Sequence, residues 1–176
     1  MATLFVDKID PQSGTSLTIG SSGDTVALTS GVVQSNMLYP AFRARKTSNQ
    51  NAANNSNVKI TFDTEDYDTN SAFADSKFTV PSGFAGKYFL NYVNRIRDGG
   101  NFDAEYAFYK NGSKEDRFSI YHFGGSEQYQ SYVFTTTLNL NASDYIEVYV
   151  NHSAGGNLEV NGGTGITFFQ GFRIGS

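Results

Sequence analysis

Any chemistry in this chain would have to come from three places. The first is the acidic stretch Asp63-Thr-Glu65-Asp66-Tyr-Asp68. Calcium takes about six to eight oxygen ligands, so clustered carboxylates on a loop are a natural protein site for it. Asp63, Asp66 and Asp68 are therefore the candidate cation ligands, with Glu65 beside them. The plainer reading is an acidic turn that is simply solvated. The second place is the pair of histidines, His122 and His152. Either could act as a base or a ligand, but both sit near predicted strand ends among polar residues and read as loop-edge groups. The third is the run Tyr121-His122-Phe123-Gly-Gly-Ser-Glu-Gln-Tyr129. A tyrosine presents a flat apolar face and a polar tip, which suits stacking on a sugar ring. Tyr121, His122, Phe123 and Tyr129 are thus candidate residues for binding a receptor or glycan; the alternative is that these aromatics tuck into the core.

Catalytic signatures are missing. There is no Gly-x-Ser-x-Gly elbow and no His-Glu-x-x-His pair, and Gly162-Gly-Thr-Gly165 has no strand-to-helix setting that would make it a phosphate cradle. Carboxylates within predicted strands are few, which leaves little for an acid–base pair acting on glycosides. The chain reads as a non-enzyme with no cofactor beyond the candidate calcium.

Composition narrows the partners. A net charge of −4 over 176 residues disfavours nucleic acid and anionic membranes, which call for a basic surface. No apolar run is long enough to span a bilayer, so no membrane insertion is expected. Met1 opens no charged-then-apolar leader, so synthesis in a cytoplasm is expected. With no cysteine, durability must come from packing or from assembly. That combination fits a component of a virus particle, made in the host cytoplasm and released by lysis.

The elements that would hold these residues are strands. Fifteen Phe, eleven Tyr and eighteen Gly suit strands joined by turns, and no window shows sustained helical periodicity. The organising stretch is Lys77–Ile96: a short strand, a Pro81-Ser-Gly83 turn and a long strand from Lys87. Strand side chains alternate faces, so Tyr88, Leu90, Tyr92 and Ile96 share one face while Phe89 and Val93 share the other. Before it come predicted strands at Ala41–Lys46 and Val58–Phe62, with polar loops at 47–57 and 63–70. After it, Asn111-Gly112 is a two-residue hairpin signal between strands at 102–110 and 116–123. Strands at 129–140, 144–151 and 166–174 follow, the last with Ile166, Phe168, Phe172 and Ile174 on one face. Tyr88, Leu90, Tyr92, Phe108, Ile146, Val148 and Phe172 form the expected core. The fold class is all-β, an antiparallel jelly-roll sandwich with a short amino-terminal β segment.

Residues 1–39 have a different rhythm. Ser-Gly steps at Ser13, Ser22 and Ser30 bracket two short alternating runs, 15–19 and 25–29, whose Leu17, Ile19, Val26 and Leu28 need cover. Two domains are expected: an attachment or stalk segment, 1–39, and a knob, 40–176.

In the knob an ordered series of patterns resembles the trimeric jelly roll of the complement globular head and tumour necrosis factor. It runs Ala41-Phe42, Val58-x-Ile60-x-Phe62, Phe78-Thr-Val-Pro81, Gly86-x-Tyr88-x-Leu90-x-Tyr92, Tyr109-Lys-Asn-Gly112, Leu138-x-Leu140-x-x-x-Asp144-x-Ile146-x-Val148, and Phe169-x-Gly171-Phe172. Ser143 stands where that family usually has Gly, and Leu90 where it has Phe. The segment from Phe5 to Val26 resembles leader segments of fibre and appendage proteins from marine tailed bacteriophages.

The resemblance implies a homotrimer, and the strand faces point the same way. A sandwich buries one face of each sheet against the other, which would leave Phe89, Val93, Tyr109 and Phe169 pointing outward as a trimer interface. The expected function is a non-enzymatic virion protein, a homotrimeric fibre, spike or appendage. Its partners would be its own copies, other virion proteins through residues 1–39, and a host-surface glycan or protein. The competing reading is a carbohydrate-binding module or adhesin outside any virion.

Overall fold

The computed structural model describes residues 9, 11, 13–14, 17–25, 40–98, 100–122 and 128–175. The chain divides into two units, Met1–Ser35 and Asn36–Ser176.

In the first unit the Ser22-Gly23 turn is present. The Asp24 amide donates to the Ser21 carbonyl at 3.0 Å, and Gly20 and Gly23 both have positive φ. Leu17 and Ile19 are exposed. Among the described residues no strand precedes Ala41, so Leu17–Ile19 does not form the strand expected there. Val26 and Leu28 lie outside the described residues.

Among the described residues the second unit is built from strands joined by turns and loops, with no helix. Its first seven are β1 (Ala41–Arg45), β2 (Gln50–Ala52), β3 (Val58–Lys59), β4 (Thr64–Asp68), β5 (Phe73–Ala74), β6 (Lys77–Thr79) and β7 (Gly86–Asp98). The other six are β8 (Phe102–Lys110), β9 (Ser113–His122), β10 (Gln128–Leu140), β11 (Tyr145–His152), β12 (Leu158–Val160) and β13 (Phe168–Gly175). They make two antiparallel sheets. In the first, β4, β1, β13 and β7 run in that order, β10 lies along the other edge of β7, and β12 with β2 extends beside the far end of β7. The second runs β5-β6-β11-β8-β9, with β3 also paired to β11. The two sheets pack face to face as the expected jelly-roll sandwich.

The long strand β7 behaves as its alternation demands. Tyr88, Leu90, Tyr92 and Ile96 are buried between the sheets, as are Phe108, Ile146 and Val148 on the facing sheet. The Phe42 ring stacks on Phe78 at 4.5 Å and on Phe73 at 5.3 Å, tying β1 to the opposite sheet. At the Asn111-Gly112 hairpin both residues have positive φ, 53° and 78°. That is the type I′ geometry whose twist matches the flanking strands.

Two expectations about β13 are overturned. Phe169, expected on the outward face, is fully buried, whereas Phe172, expected in the core, is 37% exposed. Register is the reason. Phe169 lies opposite Tyr92 on β7 and Ala44 on β1, both core-facing, and directly opposed residues share a face. Gly171 shares that inward face. A Cβ there would come within 2.9 Å of the Phe42 ring and 2.8 Å of Leu90, so only hydrogen fits under Phe42. The outward face of β13 is therefore richer in apolar residues than the inward one.

The acidic stretch expected as a loop is instead strand β4, paired with β1 at the sheet edge. An edge strand facing water needs no apolar face, and charge there discourages pairing with other chains.

Candidate functional site

The candidate cation ligands do not converge, which corrects that expectation. Asp63 accepts hydrogen bonds from the Thr47 amide at 2.8 Å, the Thr47 hydroxyl at 2.7 Å and the Ser48 amide at 3.1 Å. Partial burial pushes its carboxyl up, but these donors and the Thr64 hydroxyl outweigh it and hold the group below the usual carboxylate range. Asp66 forms ion pairs with Arg43 at 3.0 Å and Arg45 at 2.8 Å. Asp68 accepts from the Asn70 and Phe73 amides. Each carboxylate is spent on a different structural contact, and among the described residues no group of acidic or histidine side chains could hold a metal.

The aromatic run 121–129 is split three ways. His122 is fully buried, not loop-edge as expected. Its ring stacks on Phe102 at 4.4 Å, and Nδ1 lies 3.0 Å from Tyr132 Oη. The Tyr132 hydroxyl donates to Gln130 Oε1 and so accepts from His122. The strand period explains the burial: Ile120 and His122 share the inward face of β9, and Tyr121 points out. His152 is buried as well, with Nε2 donating to the Ala52 carbonyl at 2.9 Å while the Ala154 amide donates to Nδ1 at 3.3 Å. Phe123 lies outside the described residues. Tyr121 is 51% exposed on the outward face of the second sheet, and Tyr129 is 58% exposed on the outward face of the first. The Arg95 guanidinium lies 4.5 Å from the Tyr129 ring centroid. The two tyrosines stand on different sheets and cannot form one site.

The expected interface residues are also divided. Phe89 and Val93 point outward from the first sheet and are half-buried. Tyr109 belongs to the other sheet, where it packs on Tyr149 at 4.2 Å. It cannot join Phe89, and Phe169 is in the core. What the sequence reading missed is the set that does join Phe89 and Val93. Phe172 packs on Phe89 with ring centroids 5.4 Å apart. Val93 lies between Phe168 on β13 and Val133 on β10. Arg43 covers the Phe168 ring at 3.8 Å, but Val133 is 59% exposed and Ile174 is exposed too. Scattered exposed apolar residues are ordinary; two apolar rows on one flat face, here separated by the Gln170–Asn91–Thr135 row, point to an interaction surface. The signal for it lies in the even-numbered positions of 166–174, whose apolar character reads as core when the strand is taken alone.

A second feature was not foreseen. On the other sheet a depression of about 400 Å³ is lined by Asp103, Ala104, Glu105, Ser119, Asn151, His152 and Ser153. It lies where β8 meets β9 and β11, beside Tyr121.

No protein-family model and no curated protein matches the sequence. Solved structures do. The globular domain of zebrafish complement 1qA protein is 18% identical with a TM-score of 0.53, over 77% of this chain and 98% of that one. Murine APRIL, in a crystal structure at pH 5.0, is 13% identical with a TM-score of 0.57, over 76% of this chain and 98% of that one. At such identities the likeness establishes the jelly-roll architecture that the strand register already describes.

Proposed function

We propose that this chain is a non-enzymatic binding module that assembles as a homotrimer through the outward face of its first sheet. One observation carries the reading: the outward face of the first sheet carries two apolar rows, Phe172–Phe89 and Phe168–Val93–Val133, with the Gln170–Asn91–Thr135 row between them and exposed Ile174 at the end of β13. A closed threefold ring covers such a face on every copy without creating a new one. The C1q-like and APRIL-like architecture supports the same arrangement by analogy of fold. Within this reading the knob, residues 40–176, is carried on the amino-terminal segment 1–39 in a virion fibre, spike or appendage. The unlike rhythm of those two parts and the absence of cysteine support that placement. The segment 1–39 would attach the knob to other virion proteins, and the knob would contact the host surface.

Sedimentation at micromolar concentration tests the assembly. A wild-type trimer is expected, with Phe89→Glu and Phe172→Glu shifting it to monomers that keep their strand spectrum. A wild-type monomer would refute the trimer and the fibre reading with it. Locating the chain on purified particles by electron microscopy tests the virion assignment separately.

A further inference from the structure

The depression on the second sheet is ringed mostly by side chains that hydrogen-bond, and the ladder fixes their layout. Across β8–β9, Asp103 lies opposite Tyr121 and Glu105 opposite Ser119. Across β8–β11, Glu105 lies opposite Asn151. Directly opposed side chains sit about 5 Å apart on one face. Two rows result: Tyr121, Asp103 and Ser153 form one, and Ser119, Glu105 and Asn151 the other. The Asp103 amide donates to Ser153 Oγ at 3.1 Å, fixing that hydroxyl at the rim. Asn151 is held by its amide nitrogen, which donates to Asn57 Oδ1 at 3.0 Å. Lys114 and Arg117 both pair with Glu105 and hold its carboxylate in place.

Charge argues against a cationic ligand. Asp103 and Glu105 bring two negative charges, and Lys114 and Arg117 bring two positive ones within the same cluster, so the net is zero. What remains is a set of hydrogen-bonding groups around an open depression of about 400 Å³, inside the range of roughly 300–1,000 Å³ typical of small-molecule sites. Beside it stands one half-exposed aromatic ring. Carboxylates accept from pairs of adjacent hydroxyls, and an aromatic face packs on the C–H face of a ring. We infer that this groove binds a neutral pyranose sugar. Asp103 and Glu105 accept from its hydroxyls, Asn151, Ser119 and Ser153 complete the hydrogen bonding, and Tyr121 stacks on the ring. The inference deepens the binding-module reading and rests on it, but the groove lies on the sheet opposite the assembly face.

Saturation-transfer NMR on the full chain, with D-galactose, D-glucose, D-mannose and N-acetyl-D-glucosamine as separate probes, tests it. At least one sugar is expected to receive saturation and to titrate to a plateau. Asp103→Asn and Tyr121→Ala should each weaken that sugar about tenfold or more, the effect of losing a charged hydrogen-bond acceptor or a stacked ring. Tyr129→Ala, on the other sheet, should leave it unchanged. Both altered side chains are solvent-exposed, and an unchanged melting curve separates lost binding from lost fold. The inference is overturned if none of the four sugars titrates, or if both groove variants bind as the wild type does. A hexalysine peptide that binds in an Asp103-dependent way where no sugar does would also overturn it. Sedimentation of the same samples separates the two readings: a trimer that binds no sugar refutes only the groove, and a monomer that binds sugar refutes the assembly and the fibre reading but leaves the groove standing.

Discussion

The reversal at β13 yields a sharp experiment, because Phe169 and Phe172 are three residues apart and face opposite ways. Phe169 is fully buried and touches four other rings, with centroid distances of 4.8 Å to Phe42, 5.7 Å to Phe108, 5.9 Å to Phe62 and 6.2 Å to Phe73. Truncating it to Ala removes a whole ring from a packed core. Both the lost transfer energy and the cavity left behind count, and the cost should be about 3–5 kcal/mol. Phe172 keeps a third of its surface in water and, among the described residues, packs on the ring of Phe89. Its truncation should cost a separated protomer about 1 kcal/mol, one partial burial and one aromatic pair. Urea unfolding at two protein concentrations distinguishes them. Phe169→Ala should lower the midpoint by the same amount at both concentrations. Phe172→Ala should do little to the dilute sample but should remove the concentration dependence that assembly gives the wild type. If Phe172→Ala costs as much as Phe169→Ala in the dilute sample, Phe172 does not face outward and the register of β13 is wrong.

Three other outcomes follow from the site geometry. The carboxyls of Asp63 and Asp144 lie below their ordinary 3.8: burial pushes each up, but hydrogen bonds win, for Asp144 from Asn111, Asn141 and Lys110. Folded values below unfolded ones mean stability that is present above about pH 4 and lost as pH falls through the folded values. The urea midpoint should therefore drop in acid, and less steeply in Asp144→Asn; identical slopes would remove Asp144 from the account. Burial pushes the Tyr88 phenol up to about 12 against the pull of Arg173, and it drives Tyr92 and Tyr106 up as well. Here the folded state keeps its protons longer, so stability is intact below about pH 10 and declines above it. Tyrosinate absorbance should show these rings ionising only as the circular dichroism collapses, and smooth ionisation with an intact spectrum would contradict their burial. Ser143 has φ of 71°, in the left-handed region that disfavours a side chain by about 1–2 kcal/mol. Ser143→Gly should stabilise by up to about 1 kcal/mol once glycine's entropy cost is subtracted, and a loss on thermal melting would refute the strain.

The parts legible in the sequence were those where one local rule decides. Tyr88, Leu90 and Tyr92 alternate cleanly, and Asn111-Gly112 names its own turn. Where two surfaces compete for apolar residues, the pattern misleads. The outward face of β13 carries Phe168 and Phe172, with exposed Ile174 beyond them, and the inward face carries Phe169, Gly171 and Arg173, of which Phe169 alone is a large apolar group because Phe42 fills the space above the glycine. Counting apolar groups therefore assigned the wrong face to the core. Strand β4 was unreadable for the opposite reason: it has almost no apolar residue and is held at its edge by Arg43 and Arg45. In the aromatic run each of the two alternatives holds for a part: His122 is tucked into the core, and Tyr121 and Tyr129 are exposed. The break between the sheets that separates them is a long-range fact with no local signature, and so is the groove, whose residues come from β8, β9, β11 and the turn after it.

The place of β13 has a consequence for how the protein is made. It lies in the middle of its sheet, between β1 and β7, and pairs Ala41 with Phe172. Of the thirteen strands described it is the last to leave the ribosome. Until then β1 and the long β7 each wait with an open edge, and the Phe42 ring has no glycine to lie on. Closing so long a loop is entropically slow. Completion of the sheet thus waits on its last strand: until its own β13 arrives, the gap between β1 and β7 is open to the β13 of a finished neighbour.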